Sequence, residues 1–121
     1  MPPRIFMVPG GTSPYVLEAQ RELPEAERIR FQLRTLTPAE WARATDVAGV
    51  DRDLWQGMYG LSLLHAGLRG WQGPGAPPWT CDATGAPTEA AIANLSPDVR
   101  GELARAVYRF NTVGDVELGK S

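Results

Sequence analysis

The sequence has little of what metal and disulfide chemistry require. Its 121 residues include one cysteine, Cys81, and one histidine, His65. A lone cysteine cannot form an internal disulfide, which is typical of a protein kept in a reducing compartment. Without a C-x-x-C pair there is no zinc-binding pattern, and no glycine-rich phosphate-binding signature is present. We therefore expect no metal and no cofactor.

Long apolar runs are also absent. Each apolar stretch is shorter than the roughly 20 residues that a membrane-spanning helix needs. The first ten residues hold four consecutive apolar residues between prolines, whereas a signal peptide needs an apolar region of about 7–15. The sequence predicts neither a membrane span nor secretion by that route.

Neither sign of charge dominates the chain. Twelve basic and fourteen acidic residues give a net charge of −2, and a nucleic-acid binder would normally carry a basic excess. With 43% apolar and 21% charged residues, the composition is that of a globular protein. A chain of this length has the size of one domain.

The N-terminal third predicts an arm followed by a β-hairpin. Residues 1–13 contain three prolines and two adjacent glycines, so we expect an extended arm over 1–13 and a single globular domain over 14–121. Strands are predicted at Tyr15–Glu18 and at 28–34, where apolar and basic residues alternate. The basic face of the second strand is expected to pair with nearby glutamates. The members of these two charge groups are Arg28, Arg30 and Arg34, and Glu18, Glu22, Glu25 and Glu27.

Three to four helices are predicted after the hairpin. The capping box Thr37–Glu40 begins a helix that should end near Gly49. A second helix is expected from Asp53 to Arg69, with Gly70 as its terminating glycine. Its expected buried face consists of Leu54, Met58, Leu61, Leu64, His65 and Leu68.

The C-terminal part predicts a long loop and a last helix. Residues 70–87 are rich in glycine and proline, which predicts a loop, and contain Trp71 and Trp79. A short helix is expected over Thr88–Asn94, and a longer one begins at Ser96-Pro97-Asp98 and stops before Gly114. The fold class is therefore a helix-dominated α+β domain with a small antiparallel hairpin and a long Gly/Pro/Trp loop. The Ile29/Phe31/Leu33 face of the hairpin should pack against the helices.

Few residues are candidates for catalysis. His65 titrates near neutral pH, but its place on an apolar helix face predicts a histidine at the edge of the core. Cys81 is a candidate nucleophile beside an acidic neighbour that disfavours the thiolate. The aspartates between the first two helices are interpreted as capping residues. A small enzyme using His65 with Asp46, Asp51 and Asp53 stays open as an alternative to a protein without catalytic residues.

Large apolar residues outside the expected core are the candidate partner-binding groups. Trp41 and Trp55 are expected in the core. Tryptophans in an irregular loop and apolar residues in an extended arm are typical of interface anchors. The predicted partner-binding residues are Ile5, Phe6, Val8, Trp71 and Trp79.

Several short motifs occur in a familiar order. They are Tyr15–Glu18, Arg21–Glu25, Phe31–Thr37, Gly67–Trp71, Asp82–Gly85, Leu95–Val99 and Glu102–Ala104. In this order they resemble small proteins encoded among the head and tail morphogenesis genes of tailed bacteriophages. The resemblance implies a non-enzymatic role in the virion or host cytoplasm, with other phage structural proteins or copies of itself as partners.

Within that resemblance, two roles are open. One is a tail assembly chaperone, and the other is a minor structural protein of the head, the head–tail junction or the tail. A small regulatory binding protein or inhibitor is the alternative outside it.

Overall fold

The computed structural model describes residues 10–46 and 57–112. The predictions for Ile5, Phe6, Val8, Gly49, Asp51, Asp53, Leu54, Trp55 and Gly114 lie outside these residues. Within the described ranges, the chain forms four α-helices and three strands, which confirms the α+β class. In chain order they are β1 (Thr12–Tyr15), β2 (Arg30–Arg34), α1 (Pro38–Thr45), α2 (Gly57–Gly67), β3 (Leu68–Gln72), α3 (Glu89–Ala93) and α4 (Pro97–Thr112).

β2 is the central strand of an antiparallel sheet with the order β1-β2-β3. The hairpin of β1 and β2 is confirmed, with Tyr15 opposite Phe31 in register. The first strand begins and ends about three residues earlier than predicted, because the chain turns at Glu18 into a short 3₁₀ helix. The backbone amide of Glu18 there donates to a carboxylate oxygen of Glu102 at 2.9 Å, and not to a neighbouring strand.

The third strand, β3, was not predicted. The sequence analysis placed Leu68 and Arg69 at the end of a helix and Gly70 as its terminator, which is wrong. β3 pairs with β2, but the register shifts from Gln32↔Gly70 to Leu33↔Leu68. Arg69 therefore has no partner on β2 and forms a β-bulge, which redirects a side chain locally.

Two helix starts agree with their predicted caps. At α1, the Thr37 side chain accepts from the Glu40 amide while the Glu40 carboxylate accepts from the Thr37 amide. This is the capping box expected from the sequence. α1 ends at Thr45 rather than near Gly49, with Asp46 as its C-cap. α4 begins at Pro97 as predicted, and the Ser96 hydroxyl accepts from the Val99 amide.

Only part of the expected face of the second helix is buried: Leu64 and Leu68 are buried as predicted, whereas Met58 and Leu61 are not. Its buried side chains are Tyr59, Leu63 and Leu64, whereas Met58 is 66% exposed and Leu61 is 37% exposed. The described part of α2 is apolar nearly all round, so its sequence does not specify which face packs. At the end of the helix, Gly67 lies so close to Val107 of α4 that a Cβ there would clash with a valine methyl.

The core lies between the sheet and α2 and α4. Phe31 and Leu33 face inward from β2 and join Leu103 and Val107 of α4 in one buried cluster, as predicted. Trp41 is partly buried against this cluster and contacts the ring of Tyr108 at 5.4 Å between centroids. The short helix α3 lies where it was predicted, capped by Thr88.

The Gly/Pro-rich segment closes one end of the core. Trp71 belongs to β3 rather than to the loop, is 8% exposed, and contacts Phe31 edge-to-face. Its indole Nε1 donates to the carbonyl oxygen of Pro77 at 2.7 Å. Trp79 is partly buried and stacks edge-to-face on Trp71, with 4.9 Å between ring centroids. The loop is thus held against its own domain by two indole rings.

Candidate functional site

A groove with a volume of about 740 Å³ runs between α1, α2 and the segment 84–92. Apolar side chains form much of its lining. Two of them, Met58 and Leu61 of α2, are exposed to solvent. The other apolar lining residues are Ala44, Ala66, Ala86, Pro87 and Ile92. We call this feature the α1–α2 groove.

One wall of the groove is an ion pair between β2 and α1. The Arg34 guanidinium donates to both carboxylate oxygens of Glu40, the shorter distance being 2.7 Å, and its Nε donates to the carbonyl oxygen of Ala66. The hydrogen bonds from Arg34, and then those within the capping box with Thr37, lower the pKa of Glu40 to about 2. Glu40 therefore stays ionised at neutral pH, and Arg34 is engaged through all three of its nitrogens.

The bulge residue Arg69 lies in the same groove. Its Nη1 donates to the backbone carbonyls of His65 and Leu68, at 3.0 and 2.8 Å. No ion pair joins its guanidinium to a carboxylate within residues 10–46 and 57–112. Burial, followed by the nearby charge of Arg34, lowers the pKa of Arg69. Arg69 is thus a half-buried cation that its own described surroundings leave without a carboxylate partner.

The rim beyond Arg69 holds His65 and the turn at Asp82. His65 is exposed, so its prediction as an edge residue of the core is wrong, and its Nε2 lies 4.0 Å from a carboxylate oxygen of Asp82. The turn predicted at 82–85 is confirmed by the bond from the Gly85 amide to the Asp82 carbonyl. Hydrogen bonds from the Thr84 side chain and backbone lower the pKa of Asp82.

Among the described residues, no ion pair joins His65 to Asp46, one of the aspartates predicted as its partners in the enzyme alternative. The carboxylate near His65 is Asp82, whereas Asp46 is the exposed C-cap of α1 and Asp51 and Asp53 lie outside the described residues. Cys81 is an exposed free thiol. Over the part of the chain that the structure describes, no group of three or more His, Cys, Asp or Glu residues could hold a metal ion.

The predicted basic face of β2 is only partly as expected. Arg30 pairs with Glu25 at 3.0 Å, as the prediction has it. Arg28 instead donates to the backbone carbonyls of Arg21 and Leu23, and Arg34 pairs with Glu40 of α1 rather than with the acidic loop. Each of these three arginines thus makes its hydrogen bonds or ion pair with a neighbouring part of the chain.

The two predicted partner-binding residues that the structure describes, Trp71 and Trp79, lie outside the α1–α2 groove. Trp71 packs in the core and Trp79 packs on it, and neither lines the groove. The role of these two residues in partner binding stays a prediction, as does that of Ile5, Phe6 and Val8 outside the described ranges. The groove residues Met58, Leu61 and Arg69 were missed as a site. The sequence signal that could have indicated this groove is that α2 has more apolar residues than one helix face can bury.

Comparisons of the chain with protein-family models, with curated proteins and with solved structures gave no match. Among the helices in the described ranges, none combines the length and the apolar character needed to cross a membrane.

Proposed function

We propose that this protein is a non-enzymatic morphogenesis protein of tailed bacteriophages that works through protein–protein contacts. It acts as a minor virion component of the head, head–tail junction or tail, or as a tail assembly chaperone. The order of the sequence motifs supports the phage context. The α1–α2 groove supports the mode of action, since it offers a docking surface to another protein.

The observation that carries the mode of action is the exposure of Met58 and Leu61 on one side of α2. Burying a large apolar side chain stabilises a complex by roughly 1.5–3 kcal/mol relative to leaving it in water. Methionine and arginine are also enriched at protein interfaces, and Arg43 and Arg69 line the same groove. A partner protein that covers this surface would recover the free energy that the isolated chain forgoes.

The mixed charge of the groove favours a protein over a nucleic acid as the partner. Arg34, Arg43 and Arg69 are basic, but Glu40 and Glu89 line the same groove. A phosphate backbone is normally bound by a continuous basic surface. An apolar surface with both signs of charge at its rim is typical of a protein interface.

The proposal is tested with charged substitutions in the groove and a matched control outside it. Met58→Glu should leave the melting temperature within about 3 °C of the wild type, because its side chain is 66% exposed and exposed substitutions usually change stability by less than about 0.5 kcal/mol. Leu61→Glu, at a side chain that is 37% exposed, should still unfold cooperatively. The same variants should fail to restore particle assembly to a phage that lacks this gene. The control is Leu23→Glu, whose leucine is 39% exposed but does not line the groove. Normal particle yield with both groove variants would contradict the proposal.

The two roles within the proposal differ in where the protein ends up. A minor virion component remains in purified particles, where mass spectrometry detects it at a fixed ratio to the capsid protein. An assembly chaperone is absent from particles and co-purifies with unassembled tail proteins from infected cells.

A further inference from the structure

We propose that Arg69 recognises a carboxylate, so that the partner segment bound in the α1–α2 groove is apolar and carries an aspartate or glutamate side chain. This inference rests on the proposed function, because it names the chemistry of the partner that docks in the groove.

The first argument is the position of Arg69 in the sheet. In a regular strand, Arg69 would alternate with Leu68 and Gly70 and face a partner residue on β2. The register shift leaves it opposite none, and its side chain lies in the groove. β-bulges are over-represented next to functional sites because they redirect a side chain. The fold thus departs from regular pairing at the residue that brings a cation into the groove.

The second argument is the contrast between the two neighbouring arginines. Arg34 uses Nε and both Nη atoms within the chain, on Ala66 and Glu40. Among residues 10–46 and 57–112, Arg69 donates through Nη1 alone, to two backbone carbonyls that fix its orientation. A guanidinium has five N–H donors, arranged as a fork that matches a carboxylate. Arg69 therefore keeps Nε and Nη2 for a ligand, and the Nη1 bonds hold the group in place.

The third argument is the surroundings of Arg69. The guanidinium is partly buried and lies near the charge of Arg34, and the charges of Glu40 and Asp82 offset only part of the cost without forming an ion pair with it. An anion bound directly to Arg69 would offset the rest. Met58 and Leu61 lie on the same groove and require apolar contact from the same ligand. A peptide segment with an acidic side chain between apolar ones meets both requirements. A nucleic acid backbone supplies the anion but not the apolar contact.

The test is a binding experiment with two peptides that differ at one position, where one has glutamate and the other has glutamine. The probes are acetyl-GSLLELLSG-amide and acetyl-GSLLQLLSG-amide, titrated into the ¹⁵N-labelled full chain and followed by NMR. A hydrogen-bonded charge pair is expected to make the glutamate peptide at least tenfold tighter than the glutamine peptide. Resonances of α2 and of 84–92 should shift on binding.

Variants of Arg69 then assign the preference to one side chain. Arg69→Gln should reduce the tenfold ratio to about one, while Arg69→Lys should keep part of it, because a lysine retains the charge but not the fork. The control is Arg105→Gln, whose arginine is exposed on α4 and does not line the groove. It should leave the ratio unchanged. If Arg69→Gln does not fold, a reduced ratio of the two affinities in Arg69→Lys still assigns the glutamate preference to Arg69.

Three results would overturn the inference. One is a glutamate preference that survives both Arg69 variants. Another is the failure of both peptides to bind the wild-type chain. The third is displacement of the glutamate peptide by an equal charge of oligothymidylate, which would assign the groove to nucleic acid. If the groove substitutions Met58→Glu and Leu61→Glu still block particle assembly, the first two results leave the proposed function standing and remove only the carboxylate assignment.

Discussion

The hydroxyl of Tyr15 donates to a carboxylate oxygen of Glu102 at 2.7 Å, joining the first strand to the last helix across 87 positions of the sequence. The same oxygen accepts from the Glu18 amide at 2.9 Å. Burial and then the hydrogen bond with Glu102 raise the pKa of Tyr15, so the phenol stays protonated and donating over the neutral range. One carboxylate thus holds both the end of β1 and the turn that follows it.

The first prediction concerns this contact. Tyr15→Phe should lower the free energy of unfolding by about 1–2 kcal/mol, because it removes a hydrogen bond to a charged group in a partly buried place. The same substitution in a Glu102→Gln background should cost less, since the charge is already gone. Urea unfolding of the wild type, the two single variants and the double variant measures the coupling energy between Tyr15 and Glu102. Glu22→Gln, an exposed carboxylate change, should have no effect, and additive costs of the two substitutions would contradict the prediction.

The second prediction concerns acid stability through Glu40. Its pKa is about 2 in the folded chain, whereas the ordinary value for a glutamate is 4.5, so folding favours the ionised form. The stabilising contribution is present in full above pH 4.5 and is lost as the pH falls through this window towards 2. Glu40→Gln should lower stability by about 1–2 kcal/mol at pH 7, through loss of the charged pair with Arg34, and should flatten the decline between pH 4.5 and 2. Equal pH slopes for the variant and the wild type would show that Glu40 does not carry the effect.

The third prediction concerns the close contact between α2 and α4. Gly67→Ala would place a methyl group within clashing distance of a Val107 methyl. Although alanine favours helices, the substitution should destabilise the chain by about 1–3 kcal/mol through overpacking. Val107→Ala makes room at this point, so Gly67→Ala should cost less in that background. Thermal unfolding of the double-mutant cycle decides this, and a gain in stability from Gly67→Ala alone would disprove the close contact.

The fourth prediction concerns the inner face of β2. Phe31 is 4% exposed and contacts Trp71 edge-to-face. Phe31→Ala should cost roughly 3–5 kcal/mol, as is usual when a large buried aromatic side chain is removed. Met58→Ala, a truncation of an exposed residue, should change stability by less than about 0.5 kcal/mol. A cost below about 1 kcal/mol at Phe31 would show that this face is not buried.

Local signals explain which elements could be predicted from the sequence. The starts of α1 and α4 are encoded by Thr37 and Ser96, each followed by proline, and these caps act within a few residues of themselves. The alternation around Phe31 likewise identifies β2 without knowledge of its neighbours. Where the signal is local and strong, prediction and structure agree.

The strand β3 could not be predicted because its bulge hides the period of a strand. Leu68 and Trp71 both face the core, but two residues separate them instead of one. Leu68 also lies four positions after Leu64, which is the spacing of a helix face, and this is why the sequence analysis includes Leu68 in the helix and assigns Trp71 to the loop after Gly70.

The groove could not be predicted for a related reason. The described part of α2 offers apolar residues on every side, so tertiary packing decides that Tyr59 and Leu63 are buried and that Met58 and Leu61 are exposed. Arg69 shows nothing unusual in the sequence. Its place in the groove depends on the bulge and on where α1 and the 84–92 segment pack, which are both long-range effects.

The central position of β2 also determines an order of events during folding. Phe31 has two register partners, Tyr15 before it and Trp71 well after it in the chain. Closing the shorter loop costs less chain entropy, so the β1–β2 hairpin is the pairing that can form first. A two-stranded hairpin is only marginally stable, and β3 follows α2 directly. The pairing of β3 with this hairpin therefore depends on where α2 packs.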